Sequence, residues 1–296
     1  MVNDREGRVT ARTVSGIIGI STSQFVTREI GWMIQSLSLY ETTDAGISWL
    51  RLRIKGNPEL LVLHFSDSQN GWAAGFRGEM YHTTDGGLNW QKQDTGIDRE
   101  FVEIFFVDAN NGWALGQKQI DNLESRSTFI RTTDGGTTWE VLSDVDQKST
   151  DDVAEFYFVN AMEGWAIDSL NKITHTVDGG KTWTVQRDRD DEGNLISLYF
   201  LSGTEGWACG NGILHTSDGG AHWEYQLQTD GVAPNYFEKV LFVDSKHGWA
   251  ISPERAIRTT DGGRTWRDIP EDWKKSIGSL DDLRLEDKSK AQSLTR

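Results

Sequence analysis

The chain has 296 residues, a hydrophobic fraction of 36 %, a charged fraction of 25 % and a formal net charge of −15. These proportions are typical of a folded globular chain, and the negative charge argues against a nucleic-acid partner, because a phosphate backbone needs a basic surface. A single cysteine, Cys209, excludes an internal disulfide, and no apolar run approaches the roughly 18 residues that span a membrane.

The start of the chain, residues 1–19, lacks the apolar core of a signal peptide. No targeting segment is visible there. If Met1 is the natural first residue, we therefore expect a cytoplasmic protein.

The first repeated motif is a Phe followed seven residues later by the Trp of a Gly-Trp pair. From one Phe to the next the steps are 40, 41, 52, 42 and 42 residues. Fixed spacing at this period indicates a repeat architecture. The motif occurs six times, as Phe25 with Trp32, Phe65 with Trp72, Phe106 with Trp113, Phe158 with Trp165, Phe200 with Trp207, and Phe242 with Trp249.

A second motif, Thr-x-Asp-[Gly/Ala]-Gly-x-x-Trp, follows each copy of the first and is known as an Asp-box. The Asp carboxylate can accept backbone N–H groups in a tight turn, and glycine supplies the positive φ that such a turn needs. Six equivalent turns favour a structural role over a calcium or ligand role. The six aspartates are Asp44, Asp85, Asp134, Asp178, Asp218 and Asp261.

Each repeat reads as four short strands separated by turns rich in Gly, Asp and Asn. In the last repeat we predict strands over residues 237–243, 249–252, 256–260 and 265–269. Four strands in about 42 residues is the size of one propeller blade. The sequence therefore predicts an all-β fold, a β-propeller of four-stranded antiparallel blades with six clear repeats.

We interpret residues 1–296 as one propeller domain, with the clear repeats over 20–270 and a degenerate repeat or a tail over 272–296. Leu285 lies 43 residues after Phe242 and is in phase with the repeat. We favour seven blades, with the inner strands of the seventh from this tail and its outer strand from residues 8–14, because joining both termini in one blade removes open edges. Six blades with loose ends is the alternative.

Irregular lengths fall on one face of the predicted blades, where the second strand turns into the third and one blade connects to the next. We expect binding there, because loops carry function more than strands do. The alternative is that these solvent-exposed loops vary in length without any role in binding. The candidate residues are Gln117 and Arg126 in the insertion over 117–129, and Arg187, Asp188, Arg189 and Asp190 in the densest charge run.

The paired motifs, as in "GWALG" with "TTDGGTTW" and "GWACG" with "TSDGG", resemble those of the photosystem II assembly and stability factor family over residues 20–270. The resemblance implies a seven-bladed propeller that binds protein partners without chemistry, with a photosystem II subunit as the partner. It also implies the thylakoid lumen, or the periplasm, if an upstream signal was removed.

The alternative function is an Asp-box glycoside hydrolase or a carbohydrate-binding propeller. Asp168 and Glu254 are its candidate carboxylates, because a glycosidase needs two at a defined separation. His175 and His215 directly precede the Thr of their Asp-boxes, which favours a repeated structural role over metal binding. We expect no enzyme activity, no cofactor, no metal, no nucleic acid, no membrane span and a monomer.

Overall fold

A computed structural model describes residues 6–10, 20–27, 29–119, 125–144, 153–168, 170–188, 194–228, 236–252 and 255–269. The chain divides into two compact units, with the division after Gln147. The first unit holds the described residues up to 144, and the second holds those from 153 onward. The interpretation of residues 1–296 as one domain stays a prediction.

The first unit contains three antiparallel sheets, which we call blades 1 to 3. Blade 1 is formed by β1 (Glu6–Thr10), β2 (Ile20–Phe25), β3 (Gly31–Gln35), β4 (Ser38–Thr42) and β5 (Ser48–Arg51). Blade 2 is formed by β6 (Leu60–Phe65), β7 (Gly71–Gly75), β8 (Met80–Thr83) and β9 (Gln91–Gln93). Blade 3 is formed by β10 (Glu100–Phe106), β11 (Gly112–Gln119), β12 (Ser125–Thr132) and β13 (Glu140–Asp144).

The second unit contains three four-stranded antiparallel sheets, blades 4 to 6. Blade 4 is formed by β14 (Val153–Phe158), β15 (Gly164–Asp168), β16 (Ile173–Thr176) and β17 (Thr184–Arg187). Blade 5 is formed by β18 (Leu195–Phe200), β19 (Gly206–Gly210), β20 (Gly212–Thr216) and β21 (Glu224–Gln228). Blade 6 is formed by β22 (Lys239–Phe242), β23 (Gly248–Ile251), β24 (Ala256–Thr259) and β25 (Arg267–Asp268).

These sheets confirm the predicted all-β class and the β-propeller fold, because each of the six clear repeats forms one blade with its strands in sequence order. Within the described residues the only helical segment is a single 3-10 turn, Phe76–Gly78. Inner strands of successive blades contact each other within each unit: β2 with β6, and β14 with β18.

Of the outer strand predicted over residues 8–14, the structure describes residues 8–10 and places them differently. Strand β1 pairs antiparallel with β5, with Val9 opposite Trp49, and forms a fifth strand of blade 1 rather than part of a seventh blade. The open edge of β5 offers unpaired N–H and C=O groups, which a neighbouring strand can satisfy. The inner strands of the seventh blade fall in residues 272–296, outside the described residues, so that blade stays a prediction.

The Phe and Gly of the first motif lie opposite each other on the two inner strands of their blade, as Phe25 and Gly31 do. A Cβ atom on Gly31 would lie 2.6 Å from the Phe25 ring, so glycine lets the ring lie flat on the neighbouring strand. The Trp next to this glycine stacks on the Phe of the following blade. These stacked pairs are Trp32 with Phe65, Trp72 with Phe106, Trp165 with Phe200, and Trp207 with Phe242.

The two sets of repeat tryptophans differ in burial. The six tryptophans of the Gly-Trp pairs, and the six Phe partners, are buried, as predicted. Of the Asp-box tryptophans only Trp49 is fully buried, and the prediction of burial is too strong for the other five, Trp90, Trp139, Trp183, Trp223 and Trp266, which are half-buried. All five contact a buried Phe edge-on from just before the outer strand of their blade. The outer side of the indole therefore stays solvated. Trp273 lies outside the described residues.

The Asp-box turn is closed by a recurring set of hydrogen bonds. In blade 4 the hydroxyl of Thr176 donates to Oδ1 of Asp178 at 2.8 Å, and the N–H of Gly180 donates to the Thr176 hydroxyl at 2.9 Å. The N–H and hydroxyl of Thr182 both donate to the Asp178 carboxylate. Hydrogen bonds from Thr182 and Thr176 lower the pKa of Asp178 to about 2. The same arrangement recurs at the other five Asp-boxes, so these bonds stabilise the turn.

Candidate functional site

The turn between β15 and β16 of blade 4 is held rigidly by one buried carboxylate. Oδ1 of Asp168 accepts the backbone N–H groups of Leu170 at 2.9 Å and Lys172 at 2.8 Å. Asn171 adopts a left-handed backbone with φ of +65°, a conformation that Asn tolerates better than most residues. Asp168 therefore has a structural task in this turn. Glu254, the other candidate carboxylate, lies outside the described residues.

The same turn is joined to the next blade through the Asn171 side chain. Its Oδ1 accepts the N–H of Leu195 at 2.8 Å, and its Nδ2 donates to Oδ1 of Asn194 at 3.3 Å. This connects the turn of blade 4 to the first residue of β18 in blade 5. Sequence analysis missed Asn171, because no repeated motif marks the position and the partners are more than twenty residues away.

Two exposed aliphatic side chains flank this connection. Leu170 precedes Asn171 and is 36 % exposed, and Ile196 follows Leu195 and is 40 % exposed. The pairing of β18 with β19 shifts register between Leu195 and Ser197, which leaves Ile196 as the bulged residue. A bulge commonly re-aims a side chain. We call Leu170, Asn171 and Ile196 the loop-face patch.

Basic side chains lie beside this patch. The guanidinium of Arg187 lies 5.7 Å from the centre of the Tyr225 ring, and its Nη2 donates to the Tyr225 hydroxyl at 3.4 Å. Nζ of Lys172 is 3.8 Å from Oδ1 of the exposed Asp188. Arg187 is the last residue of β17 and packs on an aromatic ring, so it is an anchored side chain rather than part of a loose loop. Arg189 and Asp190 lie outside the described residues.

The described residues of the insertion predicted over residues 117–129 form strand. Strands β11 and β12 extend into a long hairpin, in which Gln117 pairs with Ser127 and Arg126 pairs with Lys118. The insertion therefore lengthens the second and third strands of blade 3. Gln117 and Arg126 lie close together on this hairpin, in the first unit, whereas Arg187 and Asp188 belong to the second.

His175 and His215 occupy equivalent places. Each lies opposite a buried Trp on the neighbouring strand, with ring centroids 4.7 Å apart for His175 and Trp165 and 4.9 Å apart for His215 and Trp207. Burial lowers the pKa of His215 from its ordinary value, because desolvation disfavours the charged ring. This geometry supports a packing role for both rings.

The described part of the chain lacks two further features. Among those residues no group of three or more His, Cys, Asp and Glu side chains is arranged to hold a metal ion. Among the same residues, no helix has the length and apolar character needed to cross a membrane.

Comparison with solved structures shows what the fold is similar to. A structure described as YCF48 bound to D1 peptide is 21 % identical, with a TM-score of 0.66, over 93 % of this chain and 86 % of that one. YCF48 from Cyanidioschyzon merolae is 20 % identical with a TM-score of 0.66, over 89 % and 88 % of the two chains. Virginiamycin B lyase from Staphylococcus aureus is 11 % identical with a TM-score of 0.61, over 89 % and 87 %. At these identities the matches show a shared fold alone.

Comparison of the sequence with protein families is more specific. No curated protein sequence matches the chain at a significant level. A family model described as photosynthesis system II assembly factor YCF48 matches residues 51–121 and 143–234, which together make up more than half of the chain. The chain therefore belongs to the family of the photosynthesis system II assembly factor YCF48.

Proposed function

We propose that this protein is a non-catalytic scaffold that holds a segment of a photosystem II subunit during assembly, and that the loop-face patch of the second unit contacts this segment. The observation that carries the proposal is membership of the assembly-factor family. It is supported by the similar structure described as bound to a D1 peptide, which makes D1 the first partner to test.

The geometry of the loop-face patch suits an extended polypeptide. Leu170 and Ile196 offer apolar surface on a support that the Asn171 hydrogen bonds hold in place. A rigid surface loses little conformational entropy when a partner binds. Lys172 and Arg187 supply positive charge beside the apolar residues, on a chain that is negative overall. Apolar contact with flanking charge favours a protein interface whose association depends on salt.

A binding experiment tests this proposal. Overlapping synthetic peptides that cover D1 of the source organism are titrated with the purified chain, and affinity is followed by fluorescence anisotropy. We expect at least one peptide to bind, and the double variant Leu170→Asp with Ile196→Asp to lose affinity about tenfold or more, which corresponds to about 1.4 kcal/mol. Both side chains are exposed, so the variant should keep the melting temperature of the wild type.

A matched control changes two exposed apolar residues of the first unit. Ile47→Thr with Leu88→Thr should leave affinity for the D1 peptide unchanged, because these residues lie in Asp-box turns and not in the loop-face patch. If no D1 peptide binds the wild-type chain, D1 is not the partner. If a peptide binds wild type and the loop-face variant equally, the patch is not the site.

No second function is proposed. The virginiamycin B lyase shares the fold at low identity, and Oδ1 of Asp168, the described candidate acid, accepts two N–H groups of its own turn. The monomeric state and the cellular compartment stay predictions of the sequence.

A further inference from the structure

In every described blade the turn between the first and second strands is tied to the Asp-box turn. In blade 4 the N–H of Gly179 donates to the carbonyl of Met162 at 2.8 Å. Equivalent bonds lead to the carbonyl of a residue in each of the other five blades, which are Glu29, Gln69, Asn110, Thr204 and Lys246. The bond therefore places the same two turns side by side in all six described blades, and its acceptor residues occupy equivalent positions.

Blade 4 differs from the other five at two of these positions. Met162 is apolar, whereas the equivalent acceptor residue is polar or charged in every other blade. Val177 follows the Asp-box Thr and is also apolar. The residues that take the place of Val177 elsewhere are Thr43, Thr84, Thr133, Ser217 and Thr260. One blade therefore carries two apolar substitutions on the same pair of turns.

Both substituted side chains are open to solvent. Met162 is 49 % exposed and Val177 is 66 % exposed. Neither contributes to the core, and the other blades have polar residues at these two positions, so folding gives no reason for apolar side chains here. Exposed apolar residues that lie together mark an interaction surface more often than isolated ones do.

The surroundings of this pair are acidic. The first-to-second and Asp-box turns of blades 4 and 5 contain four carboxylates, one lysine, Lys181, and one histidine, His222, whose ring contacts Asp218 at 2.6 Å. The acidic residues are Glu163, Asp178, Glu205 and Asp218. The two blades meet here, since a Cβ atom on Gly203 of blade 5 would lie 3.0 Å from the Glu163 carboxylate. Acidic residues around an apolar pair attract basic groups of a partner and repel acidic ones.

We propose that Met162 and Val177 anchor a second protein-binding surface, which takes a polypeptide segment with an aliphatic or aromatic side chain flanked by Lys or Arg. The apolar pair receives the hydrophobic side chain, and the carboxylates of Glu163 and Glu205 receive the basic ones. Because the surface shares no residue with the loop-face patch, it stands whether or not D1 binds there.

Three short synthetic peptides test the stated chemistry. One has a Leu between lysines, the second replaces Leu by Ser, and the third replaces the lysines by Glu. Labelling of methionine methyl groups locates the contact by NMR, because Met162 is exposed while Met33 and Met80 are buried and act as internal controls. We expect the Lys-Leu peptide to shift the Met162 signal and leave the Met33 and Met80 signals in place.

Affinities from fluorescence anisotropy then rank the interactions. The Lys-Leu peptide should bind about tenfold more tightly than either of the other two. The double variant Met162→Gln with Val177→Thr copies Gln69 and Thr84 of blade 2, so it should fold normally and lose about tenfold in affinity. Exchanging Glu205→Gln and Glu163→Gln should weaken binding at low salt and reduce its dependence on salt.

Several outcomes overturn the proposal. The proposal is wrong if the Met162 signal stays in place when the Lys-Leu peptide is added. It is also wrong if the Lys-Ser peptide binds as tightly as the Lys-Leu peptide, or if the double variant binds the Lys-Leu peptide like wild type. The loop-face variant separates this result from the proposed function, because Leu170→Asp with Ile196→Asp leaves Met162 and Val177 unchanged and should bind the Lys-Leu peptide like wild type.

Discussion

The indole ring of Trp72 stacks on the phenyl ring of Phe106 in the following blade, with centroids 3.5 Å apart and planes 7° apart. The Trp72 Nε1 also donates to the carbonyl of Gly135 at 3.0 Å, in the Asp-box of that blade. One side chain thereby connects the inner strands of one blade to both the core and the turn of the next. The repeat motifs are therefore devices for joining blades as well as for building them.

Replacing Trp72 by Ala should cost about 3–5 kcal/mol in the free energy of unfolding, as large aromatic core deletions do. Trp72 is fully buried, so the deletion leaves a cavity and removes one of the two hydrogen bonds to the Gly135 carbonyl, which keeps the bond from Gln93. Trp90→Ala is the matched comparison, because Trp90 is half-buried and should cost less. Denaturant unfolding followed by circular dichroism measures both, and equal costs would contradict the blade-joining role of Trp72.

Replacing Gly248 by Ala should destabilise the protein by about 1–3 kcal/mol, because the added methyl group overpacks a filled space. A Cβ atom there would lie 2.5 Å from the Phe242 ring. The loss should shrink when Phe242→Leu is present, since the smaller side chain makes room. A double-mutant cycle measures this coupling, and simple additivity of the two changes would show that the ring is not the obstacle.

The Asp-box carboxylates make stability depend on acid. The pKa of Asp178 falls to about 2 in the folded chain from an ordinary 3.8, so its stabilisation is present above pH 3.8 and is lost as the pH falls towards 2. Asp218 and Asp261 behave alike, with a pKa of about 2. Melting temperatures measured from neutral pH downward should show Asp178→Asn below wild type at neutral pH and converging with it near pH 2. Glu59→Gln, at an exposed site, serves as the control and should follow wild type throughout.

The hairpin between β3 and β4 turns through Ser36 and Leu37, both with positive φ, at 47° and 63°. Two-residue hairpins of this kind favour Asn-Gly, and a left-handed backbone is costly for a residue with a Cβ atom. We expect Ser36→Asn with Leu37→Gly to raise stability by about 0.5–1 kcal/mol. Lys118→Gly, in the extended strand β11, should instead lower it. Thermal unfolding distinguishes the two variants. A lower melting temperature for the hairpin variant would show that the positive φ angles of Ser36 and Leu37 do not cost stability.

The sequence by itself determined the repeat unit and its strands. Phe at a fixed seven residues before Trp predicts two paired strands, and Thr-x-Asp-Gly-Gly predicts a tight turn, because both depend on residues close together in the chain. The four strands predicted for blade 6 therefore agree with the structure to within a few residues. The first and last of them are shorter in the structure than predicted.

Only the tertiary structure decided which surface residues meet. Asn171 holds Leu195 across two blades, Arg187 packs on Tyr225, and β1 joins blade 1 rather than a seventh blade. None of these is written in the repeat, because each depends on how one blade packs against another or on which strand edge is open. The apolar character of Met162 and Val177 is visible in the sequence, but only the hydrogen bond between their turns shows that they occupy one surface.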